Sequence, residues 1–252
     1  GENTKELKVN IVTSYEDLDT LVPFVQSLVD EFPEVTSVVN NINTRKADVS
    51  FGEREILLFG KPILNEKLKE LNFQISANSF FQTNSFMAEK LYDVILDSAD
   101  LNGDEIVYDL YCGAGSISLF LAKKAKFVYG FDIIVSSIEN AEQNAVINNI
   151  QNIDFKVANL DSFFYTNKSN KYSSADVVIV DPPRAGMHKK MTEYLPKIGA
   201  KKIIYVSCNP STQARDSQIL KSNNYKLEKL TVVDMFPHTP HVETVGVFKK
   251  SK

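Results

Sequence analysis

The sequence predicts an α/β protein: a doubly wound, mostly parallel sheet preceded by a small α+β subdomain. Three observations point there. From Ser76 onward, apolar strand-like runs alternate with helical stripes. A glycine loop, Gly113-Ala-Gly115, falls where the first of those strands meets a helix, and Asp132 closes the next strand about 20 residues on. The chain of 252 residues, 43% hydrophobic, is long enough to bury such a core without disulfides or a structural metal.

Residues 1–75 read as short alternating elements. Leu7–Val12 resembles a strand and Tyr15–Phe32 a helix containing Pro23. Val35–Ile42, Ala47–Phe51 and Ile56–Phe59 follow as short strands, with Gly52 and Gly60 at their turns. Residues 76–252 carry the larger domain. Asn84–Ser98 has a helical stripe of Met87, Leu91, Val94 and Ile95, with a cap at Thr83 or Asn84. The alternation then runs Glu105–Tyr111 strand, Ser116–Lys124 helix, Phe127–Asp132 strand and Val135–Asn148 helix. Asp154–Ala158, Asp176–Asp181 and Lys202–Ser207 are further strands, and Thr212–Ser222 a further helix. Tyr225–Met235 and His241–Phe248 close the chain as two strands able to pair antiparallel. Lys168–Ser174 reads as a surface loop.

Charge narrows the function. With 28 basic and 32 acidic residues the net charge is −4, which argues against a globally basic coat for nucleic acid but leaves room for a local basic face. Two cysteines, Cys112 and Cys208, cannot build a disulfide framework, a four-thiolate zinc site or an iron–sulfur cluster. No metal site is expected. No apolar run reaches the roughly 18 residues that span a bilayer, and no signal peptide is evident, so a cytoplasmic protein is expected. The chain opens on Gly1 rather than Met, which points to processing, truncation or a cloning remnant.

The strand ends carry the chemistry. In an open α/β sheet they line one crevice. Asp109-Leu-Tyr-Cys-Gly-Ala-Gly-Ser116 brings glycines and a helix start to that crevice, and Asp132 offers acceptors for ribose hydroxyls. A nucleoside cofactor is expected, NAD and S-adenosylmethionine both being open at this point. Val180-Asp-Pro-Pro-Arg184 and Val206-Ser-Cys-Asn-Pro210 end two other strands. A free cysteine is usually a small buried hydrophobe, but Cys208 sits at a strand end beside the cofactor loop. The helix after it is expected to lower its pKa. Cys112, inside the glycine loop, reads as packing. Glu243 starts the last strand after Pro237 and Pro240, and is a candidate base, with His238 and His241 as other bases or orienting groups.

These residues suit one reaction. An Asp-Pro-Pro-aromatic segment would favour methylation of base amino groups, but Asp181-Pro-Pro-Arg184 has no aromatic. Pyrimidine C5 instead needs covalent help: a thiolate adds to C6, C5 takes the methyl group, and a base removes the C5 proton. Cytosine-5 methylation of RNA uses two cysteines, one in the segment of Asp181–Arg184, where none stands. An NAD-dependent oxidoreductase lacks an evident hydride-transfer partner here, and a catalytically silent binding module is a further reading.

Phe80-Phe-Gln-Thr-Asn84, Asp109-Leu-Tyr-Cys-Gly113, Asp181-Pro-Pro-Arg-Ala-Gly186, Ser207-Cys-Asn-Pro210, Ala214-Arg-Asp216 and Phe236-Pro-His-Thr-Pro-His-Val-Glu243 resemble the RNA uracil-5-methyltransferases. The resemblance runs over Ser76–Phe248 and is nearest to the bacterial 23S rRNA branch, with the tRNA enzymes as the other branch. It implies a Rossmann-like, class I S-adenosylmethionine-dependent methyltransferase sheet; residues 1–75, with little obvious chemistry, read as a scaffold or an RNA-facing platform. It implies Cys208 as nucleophile and Glu243 as general base. Gln82, Tyr111, Gly113, Ser116, Asp132, Asn159 and Asp181 would contact S-adenosylmethionine. Arg184, His238 and Asp181 would face the uridine. Arg184, Arg215 and the Lys201-Lys202 pair read either as phosphate contacts or as solvated or ion-paired charges. The implied partner is RNA and the implied state a monomer. The family's N-terminal oligonucleotide-binding barrel and cysteine cluster have no counterpart here; a chain starting after the barrel accounts for both.

Overall fold

A computed structural model describes residues 1–44, 52–166, 172 and 174–251. The expected strand Ala47–Phe51 and most of the expected loop Lys168–Ser174 lie outside the described residues. The chain divides into two compact units, Gly1–Phe81 and Gln82–Lys252.

In the first unit, strands β1 (Leu7–Thr13), β2 (Val35–Ile42) and β3 (Arg54–Gly60) form a sheet in the order β1-β2-β3. β1 and β2 are parallel, joined through helix α1 (Leu18–Glu31), whose cap is Asp17 rather than the predicted start at Tyr15. Val25 of α1 packs on Val35 and Val38, so one face of the helix supplies this small core. A hairpin that the sequence pattern does not announce follows: β4 (Ile63–Leu68) and β5 (Leu71–Ser76).

The second unit is a seven-stranded sheet flanked by helices. Its strands are β6 (Ile106–Leu110), β7 (Phe127–Asp132), β8 (Ile153–Val157), β9 (Val177–Val180), β10 (Lys202–Ser207), β11 (Tyr225–Val233) and β12 (Glu243–Lys250). The order is β11-β12-β10-β9-β6-β7-β8. β6 to β10 run parallel, and β12 runs antiparallel between β10 and β11. Helices α2 (Ser85–Ala99), α3 (Ser116–Ala122) and α4 (Val135–Ile147) pack in one row. Helices α5 (Leu160–Thr166), α6 (Lys189–Tyr194) and α7 (Pro210–Ser222) form another. The sequence pattern leaves α5 and α6 unassigned and starts α7 two residues late, after its N1 proline.

Strand alternation explains the two faces. On β6, Tyr108 and Leu110 point into a core shared with Phe164, Met191, Leu195 and Leu220 of the α5–α7 side. Asp109, between them, turns the other way and accepts a hydrogen bond from Ser118 of α3. Tyr108, Phe131 and Phe164 meet ring to ring at centroid separations of 5.4–6.1 Å. Among the described residues no helix is long and apolar enough to cross a membrane.

Candidate active site

The parallel strands all end on one edge of the sheet, and the reversed β12 begins there. Cys208 therefore follows the last residue of β10, while Glu243 is the first residue of β12. Their neighbours Ser207 and Thr244 face each other across the ladder. Register alone brings thiol and carboxyl to adjacent positions from 35 residues apart.

The electrostatics of this corner are mutual. Glu243 is 7% exposed, and its Oε2 is buried with no hydrogen-bond partner. Burial first, and the charge of Asp181 second, push its pKa up to about 8. Asp181 is raised to about 6 by burial. Cys208 is half-buried, and its thiol is pushed up by burial and by the carboxylates of Glu243 and Asp181, while Arg184 acts the other way. This corrects the expectation that the following helix lowers it. The start of α7 is sealed by Pro210 and the Asn209 side chain, which accepts from Ser211 N at 3.1 Å, and the two acids outweigh it. The thiol, the two carboxyls and the arginine thus sense one another at a single strand-end cluster.

The residues expected to meet the cofactor lie mostly along β6, β7 and β8. Tyr111 closes β6 in left-handed backbone with φ 67°, and Gly113 and Gly115 follow at 54° and 81°. This turn carries the loop over the strand end. Gly113 N donates to Asp132 Oδ2 at 3.0 Å and Ile134 N to its Oδ1 at 2.9 Å, so backbone amides fix the carboxylate at the end of β7. A cavity of about 200 Å³ opens between Tyr111, Ile133, Asn159 and Pro183, with Asp161 and His188 at its wall. Asn159 is anchored as the cap of α5: its side chain accepts from Asp161 N at 3.0 Å and its carbonyl from Phe163 N at 2.8 Å. Cys112 is buried as expected, with its thiol raised well above its ordinary value by burial.

The remaining expected residues fall as follows. Gln82 is buried just before Asn84, which caps α2 by accepting from Met87 N and donates to Met235 O at 2.9 Å. That bond ties the Phe-Gln-Thr-Asn motif to the segment leading into Pro237 and His238. Ser116 is hydrogen-bonded to the buried Tyr92 phenol. His238 is exposed, in left-handed backbone with φ 70°. Of the two readings open for Arg215 and the lysine pair, the structure shows the one in which they are engaged within the chain. Arg215 is held by Asp216 and by the carbonyls of Ala185 and Met187. Lys201 pairs with Asp176, and Lys202 donates to the carbonyls of Ser98 and Ala99 at the end of α2. Both lysines lie at the opposite end of β10 from Cys208, about 20 Å or more along the strand.

Ile133, Asp161 and His188 escaped sequence reasoning. The available signal was position: Ile133 follows the acidic end of β7, Asp161 follows Asn159, and His188 caps α6 two residues after the Asp181–Gly186 segment. Asp109, quoted only as the head of its motif, is fully buried and raised to about 7, chiefly by burial.

The order of strands, the reversed β12 and the glycine turn after β6 define a Rossmann-like methyltransferase fold. The chain belongs to the tRNA (uracil-5-)-methyltransferase family, which it matches over residues 53–252. It is 40% identical to an uncharacterised RNA methyltransferase of Chlorobaculum tepidum over 100% of this chain and 53% of that protein. It is 42% identical to one of Staphylococcus aureus over 98% and 54%. The tRNA (uracil-54, C5)-methyltransferase of Pyrococcus abyssi, solved with S-adenosyl-L-homocysteine, superposes with a TM-score of 0.77 at 37% identity, covering 98% of this chain and 57% of that one. A tRNA m1G37 methyltransferase of M. jannaschii shares the fold at a TM-score of 0.61 and 15% identity, covering 97% of this chain and 70% of that one. The chain spans about half the length of the curated relatives it matches.

Proposed function

We propose that the protein methylates C5 of a uridine in RNA, with S-adenosylmethionine as donor. The single observation behind this reading is the pairing, at one sheet edge, of a half-buried thiol with a buried carboxyl that has an unpartnered oxygen. The donor set fits the cofactor. Asp132 keeps lone pairs for ribose hydroxyls beyond its two backbone bonds. Tyr111, Ile133 and Asn159 offer an adenine two apolar faces and an amide, and the left-handed glycine turn leaves backbone free beside it. S-Adenosylmethionine supplies an electrophilic methyl group.

The chain's own residues do the rest. Cys208 gives its proton to solvent water, and its thiolate adds to uracil C6; Arg184 is the nearby positive charge that favours this. The C5–C6 π electrons pass to C5 and its carbonyl, and C5 takes the methyl group. Glu243, ionised at that stage, accepts the C5 proton; the C–H electrons re-form the double bond and expel the sulfur. Its raised pKa suits that proton transfer. Asp181 faces the uracil edge as acceptor for N3–H. A uridine in folded RNA must first be turned out of its stack.

The full-length protein, incubated with S-adenosylmethionine and 5-fluorouridine RNA, is expected to hold a covalent adduct by intact mass. Cys208→Ala should abolish it. Glu243→Gln with ordinary uridine RNA should accumulate a methylated adduct, and normal turnover by that variant would remove Glu243 from the mechanism. The sequence motifs favour 23S rRNA as substrate; the similarity to the P. abyssi enzyme, described as acting on tRNA, favours the second reading. Methylation of 23S rRNA and tRNA transcripts, compared side by side, separates them.

A further inference from the structure

We propose that Gln213 and Thr244 are positioning residues that set the spacing between the Cys208 sulfur and the Glu243 carboxyl; this rests on the function proposed above. Gln213 stands on α7, five residues beyond the thiol, yet it is 5% exposed and its amide lies on the sheet. Nε2 donates to Tyr205 O at 2.7 Å and reaches Thr244 O at 3.4 Å. Oε1 faces the Thr244 hydroxyl at 3.0 Å, and that hydroxyl also lies 3.1 Å from Ser207 O. The amide therefore holds β10 at Tyr205 and β12 at Thr244, and the Thr244 hydroxyl closes the link to Ser207, so the grip reaches the rung Ser207–Thr244, one residue from the nucleophile and one from the base.

Helix packing alone would be served by a leucine, which carries no buried polar group to satisfy. Instead, every polar atom of the Gln213 amide meets a strand. The rung is the last of the β10–β12 ladder, where strands fray. There a side-chain clamp restrains what backbone bonds alone leave loose. Misplacing reacting groups by about 1 Å can cost on the order of 100-fold in rate.

The test uses the full-length protein with its RNA substrate and S-adenosylmethionine. Thr244→Val keeps the shape and removes the hydroxyl; Thr244→Ser keeps the hydroxyl; Gln213→Met keeps the length and removes the amide. Thr244→Val and Gln213→Met are expected to lose about 10-fold or more in kcat, with KM for S-adenosylmethionine within about twofold of wild type and a methylated adduct that decays slowly. Thr244→Ser is expected to restore most of kcat. Wild-type kcat in both hydrogen-bond-deleting variants, or an equal loss in Thr244→Ser, overturns the proposal. If Thr244→Val does not fold, Gln213→Met decides by the same readouts. Wild-type protein that forms no 5-methyluridine overturns the proposed function itself, whereas active wild type with unimpaired variants overturns only the clamp.

Discussion

Glu243 is a carboxyl whose surroundings favour keeping its proton. Its pKa of about 8 lies above the ordinary 4.5, so between those values the folded chain binds more protons than the unfolded one. Its burial is therefore harmless below about pH 4.5 and costs progressively more as pH rises to about 8. Glu243→Gln removes that cost. At pH 8.5 the variant should melt higher than wild type by about 3 °C or more, one pKa unit being about 1.4 kcal/mol. The gap should close towards pH 5, and equal melting temperatures at both pH values would mean that the carboxylate is solvated. Arg184 makes a second prediction. It is the cation that opposes the two acids at Cys208, so Arg184→Gln should shift the pH midpoint of Cys208 alkylation upwards. Cys208 and Glu243 were legible as strand-end residues in recognisable motifs. The direction of the thiol's shift was not, because it sums burial with two carboxylates from β9 and β12 that no local stretch displays.

Gly115 shows how one turn governs a whole element. It caps α3 at φ 81°, and a Cβ there would meet Phe155, Ala141 and Leu119 at 2.9–3.0 Å. Left-handed strain plus overpacking should make Gly115→Ala destabilising by about 2–4 kcal/mol. Because the same turn carries the cofactor loop, affinity for S-adenosylhomocysteine should fall as well. A calorimetric titration alongside a thermal melt checks both, and unchanged values in each would show the turn to be tolerant. Elements with clean apolar periods were legible: β2, β7 and β10 match their expected bounds. The β4–β5 hairpin was hidden because β4 buries Glu66, which is 4% exposed and accepts from the backbone N–H groups of Glu2, Asn3 and Lys67. A charged residue pointing inward erases the alternation that marks a strand. Helices α5 and α6 are only seven and six residues long, too short to display a stripe.

Across the whole molecule, every residue assigned to cofactor, thiol or base chemistry lies in Gln82–Lys252, which carries its own aromatic core. That segment, produced alone, should melt cooperatively and bind S-adenosylhomocysteine within about tenfold of the longer chain. Ligand at 100 times Kd adds about 2.7 kcal/mol, a rise of roughly 5–10 °C in a melting scan. A fragment that melts without responding to ligand would place part of the pocket in the first unit. Lys201, Lys202 and Arg215 are engaged by acidic side chains or carbonyls, while Arg184 acts on the thiol corner. The reversal of β12 has one more consequence. Because that strand lies between β10 and β11, sulfur and carboxyl arrive at the sheet edge from opposite chain directions, and no local stretch holds both. A polypeptide cut short ahead of Glu243 would keep the sulfur and lose its companion carboxyl.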